Sequence, residues 1–252
     1  MIKDCVRQNN NAGKRLNACL HITDEYNEHG HLLHIEDVIG AYTRAKTQEE
    51  ALKKLEGELI SYDRWAGTDT ADRYSIKNLK IETLKSNLHI EDADSDMIFE
   101  SEKAPLSLDD FKALTELALK SARDFKELYD SIPVKDKASR APRKTFYGYV
   151  PITANDMYAH TKNVNSYYFG EIGISVSNSP DIYSCRKAGF DIAASKEVLF
   201  SGRVYAGQYD ELWTLKKVIR RFIWHDRIHA KAMYKMACAL CGAENIKNPF
   251  RF

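Results

Sequence analysis

Leu215-Lys216-Lys217-Val218-Ile219-Arg220-Arg221-Phe222-Ile223-Trp224-His225-Asp226-Arg227-Ile228-His229 opens the last long patterned segment of the chain. Leu215, Val218, Phe222, His225, His229, Met233, Met236 and Leu240 recur at steps of three or four residues, which is one face of an α-helix. The spacing predicts a helix from about Tyr209 to Cys241 whose apolar stripe faces a core. Two imidazoles sit on that stripe. Side chains at i and i+4 project from the same face, so a neutral pair at this spacing can hold one metal ion. Left without partners in a core, the same pair would cost several kcal/mol, roughly, in unmade hydrogen bonds and desolvation.

Three more helices are predicted. Ser107 caps a segment in which Phe111, Leu114, Leu117, Ala118, Phe125, Leu128 and Ile132 keep helical spacing up to Pro133. Thr153 and Asp156 form a capping box that opens a helix from Ala154 to about Gly173. Its expected inward face is Met157, His160, Val164, Tyr168 and Glu171 or Ile172. Pro180 suits the first position of a shorter helix reaching about Lys196 through Ile182, Cys185 and Ile192. Antiparallel amphipathic helices bury one another's stripes, so these four close as a four-helix bundle. His160 then shares the interior with the pair on the last helix. Three imidazoles from two helices can hold one divalent metal and leave positions open for water or substrate.

The first half has a different period. Lys14 to Thr23 alternates as Leu16, Ala18, Leu20 and Ile22, which predicts a strand. A polar turn, Asp24 to Gly30, leads to a second extended segment, His31 to Ile35, and Val38 to Lys46 supplies a third. Thr47 and Glu50 make another capping box, opening a helix that runs to about Trp65, with Gly67 placed to end it. Residues 78–90 read as extended. The expected fold class is therefore α+β: a small antiparallel β-sheet and helix over 1–75, an extended linker over 76–103, and a four-helix bundle over 104–252.

Composition narrows the function classes. At 252 residues, 44% hydrophobic and 29% charged, the chain can fill a sizeable core. Lys and Arg number 37 against 36 Asp and Glu, so no global field favours nucleic acid. No run approaches the roughly 18 apolar residues that span a bilayer, and no apolar leader opens the chain. Cys5, Cys19, Cys185, Cys238 and Cys241 are odd in number and scattered, which speaks against a disulfide framework and for a reduced, cytoplasmic compartment.

Two stretches carry a resemblance. Pro151-Ile152-Thr153-Ala154-Asn155-Asp156-Met157-Tyr158-Ala159-His160, together with Glu211 to Val218 leading into Trp224–His229, resembles the DinB-like superfamily of metal-binding four-helix bundles. The resemblance covers residues 104–241 and implies that His160, His225 and His229 are the ligands of a divalent transition metal, zinc or nickel. It further implies thiol-dependent S-transfer or hydrolysis of a small-molecule substrate, a low-molecular-weight thiol serving the transferase branch. In the first half, Gly40-Ala41-Tyr42-Thr43-Arg44-Ala45-Lys46-Thr47-Gln48-Glu49-Glu50-Ala51-Leu52 resembles the strand-to-helix signature of HicB-like domains, with Ala45 at the family's usual glycine. That family is known chiefly as the antitoxin partner of small RNA-cleaving toxins; with no DNA-binding tail evident here, the resemblance implies the fold rather than toxin neutralisation coupled to repression. The competing class is a non-enzymatic binding or regulatory protein, whose N-terminal domain docks a partner and whose bundle forms a homodimer.

A metal on three neutral imidazoles keeps its double positive charge and can bring the pKa of bound water to about 7 or hold a thiol as thiolate. Glu171, if it faces inward, is the candidate general base. Tyr158, Tyr167 and Tyr168 can position substrate, with core packing the plainer role. Asp156 and Asp226 are candidates to support the ligands from behind, against a helix cap for Asp156 and a surface pair with Arg227 or a lysine for Asp226. Cys238 and Cys241 lack a second ligand pair for zinc. The tract Glu91–Asp96 reads as a solvated acidic turn, His21, His29, His31 and His34 as polar strand ends, and Lys135–Lys144 as a basic loop able to receive an anion or simply solvated.

Overall fold

The computed structural model describes residues 18–145 and 148–252; Cys5 and the predicted start of the first strand at Lys14 lie outside them. The chain is α+β. Strands β1 (Ala18–Tyr26), β2 (His31–Ile35) and β3 (Tyr42–Ala45) pair antiparallel in succession, with Ile22 opposite Ile35 and Leu33 opposite Thr43. The turn between the first two is held by Asn27, whose Oδ1 accepts the amides of His29 and Gly30 at 2.7 and 3.0 Å, a side-chain turn of the kind asparagine favours.

The helix predicted from Thr47 forms in two pieces, α1 (Gln48–Leu52) and α2 (Leu55–Ala66). Thr47 Oγ1 accepts the Glu50 amide as expected, and Gly67 ends α2 in the left-handed conformation at φ 74°. After a short helix α3 (Thr70–Arg73), the extended segment enters the sheet as β4 (Tyr74–Lys85). It lies parallel to β1, with Ile22 beside Ile81, and the sheet order is β3-β2-β1-β4. The sheet is therefore mixed rather than purely antiparallel. A parallel neighbour requires a crossover, and everything from β2 to α3 provides it.

The second half contributes α4 (Leu108–Ser131), α5 (Ala154–Gly170), α6 (Ile182–Ala194) and α7 (Leu215–Cys241). Each opens on a side-chain cap: Ser107, Thr153, Asp181 and Thr214 accept amides of the first turn, which satisfies donors that a helix start otherwise leaves unpaired. α6 thus begins after Asp181 rather than at Pro180. α7 begins at Leu215 rather than near Tyr209, because Tyr205–Ala206 and Leu212–Trp213 pair as a short hairpin ahead of it. Both α4 and α5 pack along α6 and α7, so the two members of each pair stand diagonally across the bundle.

α7 is buried on two sides. Leu215, Val218, Phe222, Met233 and Met236 face the bundle as the stripe predicts, and Ile219, Ile223, Trp224 and Ala230 are buried as well. Of the second set, Ile223 lies against Gly40 and Trp224 against His34 and Tyr42 of the N-terminal layer. One continuous core joins Leu20, Ile22, Leu33 and Ile35 of the sheet and Leu55, Leu59 and Trp65 of α2 to Phe125, Phe222 and Met233 of the bundle. Polar ties cross the same boundary: Arg227 to Glu58 at 2.7 Å, and Trp65 Nε1 to Asp124 Oδ2 at 2.7 Å. No helix among the described residues is long and apolar enough to cross a membrane.

Candidate metal centre

His160 lies two turns into α5, and His225 and His229 lie one turn apart on α7. The seam between these helices brings the three rings together, with centroids 5.0 Å apart for His160–His225, 4.7 Å for His160–His229 and 4.4 Å for His225–His229. The Nε2 atoms of His160 and His225 are 3.1 Å apart. One ring nitrogen from each residue falls within 4.8 Å of the others.

The position of the site differs from the expectation in one respect. The buried stripe of α5 is Met157, Thr161, Asn165, Tyr168 and Phe169, and His160 stands exposed at its margin. His229 is half-buried. The cluster therefore sits at the mouth of the α5–α7 seam rather than in the sealed interior, and it can be reached from solvent.

Desolvation lowers the pKa of all three rings, that of His160 included, whose residue is exposed overall but whose Nε2 is turned to His225. For His160 desolvation is the cause. His225 is pushed well below its ordinary value by desolvation and then by His229, His160, Arg221 and Arg186. His229 is brought down to about 3 by desolvation, His160 and Arg140. Neutral imidazoles keep a lone pair available, which is the state a metal requires. Nitrogens bound tetrahedrally at 2.0–2.1 Å lie roughly 3.3 Å apart, close to the His160–His225 spacing of 3.1 Å, and a ring nitrogen of His229 falls within 4.8 Å of both. The residues fit a divalent ion with open coordination positions. His225 Nδ1 is buried without a hydrogen-bond partner, so the deepest ring is not accounted for by protein contacts alone.

Behind His225 lies a polar network that the helix pattern did not announce. Asp226 is fully buried and takes Arg186 in a two-pronged pair, Nη1 to Oδ2 at 2.5 Å and Nη2 to Oδ1 at 3.1 Å. Ser121 Oγ donates to the same carboxylate at 2.7 Å, Arg186 Nη1 reaches the Ala118 carbonyl at 3.0 Å, and Arg186 Nε reaches Asn165 Oδ1 at 3.2 Å. All four helices meet there. The expected surface pair of Asp226 with Arg227 does not form, because Arg227 turns to Glu58. The available signal was Arg186 itself, on the stripe Ile182, Cys185, Arg186, Gly189, Phe190 and Ala193.

Other candidates find plainer roles. Asp156 completes the α5 cap with Thr153. Glu171 is buried but spends its carboxylate on the Gln208 amide at 2.8 Å. It lies roughly 16 Å along α5 from His160, at 1.5 Å per residue, so it does not serve the cluster as a base. Tyr158 stacks on Tyr129 at 4.2 Å, whereas Tyr168 presents its ring to His225, centroids 6.1 Å apart.

His21, His31 and His34 each take a separate carboxylate, Asp37, Asp24 and Glu25, and do not converge. The acidic tract is not a solvated turn: Arg143 holds Asp92, while the carbonyls of Ser95 and Asp96 accept from Arg221 and Lys217. Through Arg143, the basic loop is tied to that tract. Cys238 and Cys241 are free thiols. No protein family, no curated protein and no solved structure matches the chain.

Proposed function

We propose that the protein is a metal-dependent enzyme that acts on a small molecule at His160, His225 and His229, as a thiol S-transferase or a hydrolase of the DinB-like type. The observation that carries this reading is the meeting of three neutral imidazoles, from two helices, at a solvent-reachable seam. A polar core would satisfy its histidines with carboxylates, as the N-terminal layer does for His21, His31 and His34. This cluster has no such carboxylate among the described residues.

A divalent zinc or nickel ion held there would supply Lewis acidity to water, a thiol or a carbonyl. The chain's own contribution is positional. The Arg186–Asp226 tie fixes the register of α7 against α4, α5 and α6, and so fixes where His225 stands relative to His160. Tyr168 walls the inner side of the seam, and His160 holds the outer margin.

The test is a matched assay of zinc-loaded and metal-free chain. Thiols are offered with electrophiles, and esters and amides are offered with water. Turnover by the loaded chain that disappears in a His225→Ala, His229→Ala variant supports the reading. A loaded chain that turns over neither class removes it.

A further inference from the structure

The interior arginines are not all neutralised. Arg186 holds Asp226, Arg220 holds Glu102 and Arg227 holds Glu58. Arg221 differs: among the described residues no carboxylate comes within ion-pair distance of it, and Glu211 and Asp94 act on it only from further away. Its Nη1 donates to the Ser95 carbonyl at 2.5 Å and its side chain also hydrogen-bonds the Tyr168 hydroxyl, while its Nε is buried without an acceptor among the described residues.

The place of this cation matters. Arg221 is one turn before His225 on α7, so the two project from the same face. Both meet Tyr168: the guanidinium carbon lies 5.5 Å from that ring's centroid and the His225 ring 6.1 Å. Trp213 and Trp224 close the other sides of the guanidinium at 5.7 and 4.9 Å. The side chain as a whole is half-buried. Two unpartnered polar atoms, Arg221 Nε and His225 Nδ1, thus belong to neighbouring side chains beside one tyrosine. An unmatched charge in aromatic surroundings is costly, and the planar fork of a guanidinium fits a carboxylate with two parallel hydrogen bonds.

We propose that Arg221 receives the carboxylate of the small molecule that reaches His160, His225 and His229, so that the site selects carboxylate-bearing compounds. This rests on the reading of the three histidines as a substrate-facing centre. It adds the substrate's chemical class and a binding residue that touches it.

The arginine Nε–H resonances of the full chain, metal-free and isotopically labelled, are followed by NMR during titration with acetate and, as control, neutral acetamide. The Arg221 signal is expected to move saturably with acetate, with a Kd on the order of 1–10 mM for so small a probe, and not with acetamide. It should do so equally in the His225→Ala, His229→Ala variant. Failure to load metal would therefore overturn the enzyme reading without touching this one. On zinc-loaded chain, 3-mercaptopropionate should bind about tenfold more tightly than 2-mercaptoethanol, a difference of roughly one charge-assisted hydrogen bond. Arg221→Gln should erase the preference. Arg221→Lys, which keeps the charge and is the better prospect for folding, should retain part of it. An Arg221 resonance that ignores acetate, or that follows acetamide equally, would overturn the proposal and leave Arg221 as a tie between α7 and the Ser95 segment.

Discussion

Arg186 and Asp226 face each other across the dry centre of the bundle, 40 residues apart in the chain and both without solvent exposure. Buried ion pairs contribute little net stability, because desolvation offsets most of their attraction, yet breaking one strands a charge. Asp226→Leu alone is expected to cost about 3–5 kcal/mol. Arg186→Met combined with Asp226→Leu should recover most of that loss. Urea denaturation of the two variants checks both statements.

Protons should destabilise the metal-free chain before its carboxylates titrate. The folded pKa of His225 is well below the ordinary 6.5, and that of His229 is about 3, so the unfolded chain binds protons that the folded chain refuses. Stability is then full above about pH 6.5 and falls as pH drops through the window toward 3. The slope is at most about 1.4 kcal/mol per pH unit for each ring, and less for half-buried His229, where solvent screens it. Glu25, whose pKa is lowered from 4.5 by hydrogen bonds from His34, Ser95 and Ser86 that outweigh its desolvation, enters only at lower pH. Denaturation midpoints at pH 7.5 and 5.5 should differ clearly in wild type and less in a His225→Asn, His229→Gln variant.

The contact between the sheet layer and α7 leaves no room at Gly40. Its φ is +77°, and a methyl group there would lie 2.6 Å from Ile223 Cγ2. Gly40→Ala should cost about 2–4 kcal/mol, from backbone strain and overpacking together. Gly67 has a similar φ of +74° but open space around it, so Gly67→Ala should cost only about 1–2 kcal/mol. Thermal unfolding of the pair separates packing from strain.

Local chemistry made much of this architecture readable. The caps at Ser107 and Thr153, the Thr47 half of the box predicted with Glu50, the alternation of Leu20 and Ile22, and the stripe of α7 depend on neighbours a few residues away, and they appear as expected. Features that depend on distant partners did not show. β4 pairs with β1 across more than fifty residues, and nothing in its own composition states that direction. Asp226 reads as a surface charge until Arg186 arrives from another helix. Helical spacing with Val164 and Tyr168 predicts an inward His160, whereas the stripe that packs runs through Thr161 and Asn165. The rotation is small, yet it moves the candidate site from a closed core to an open seam.

The metal content of the full chain, purified without a histidine tag and measured by elemental analysis after exposure to zinc or nickel and removal of excess ion, decides whether His160, His225 and His229 hold an ion. About one divalent ion per chain is expected, as is its loss in a His225→Ala, His229→Ala variant that remains folded by circular dichroism. A folded wild-type chain that stays metal-free after the same exposure would contradict that expectation.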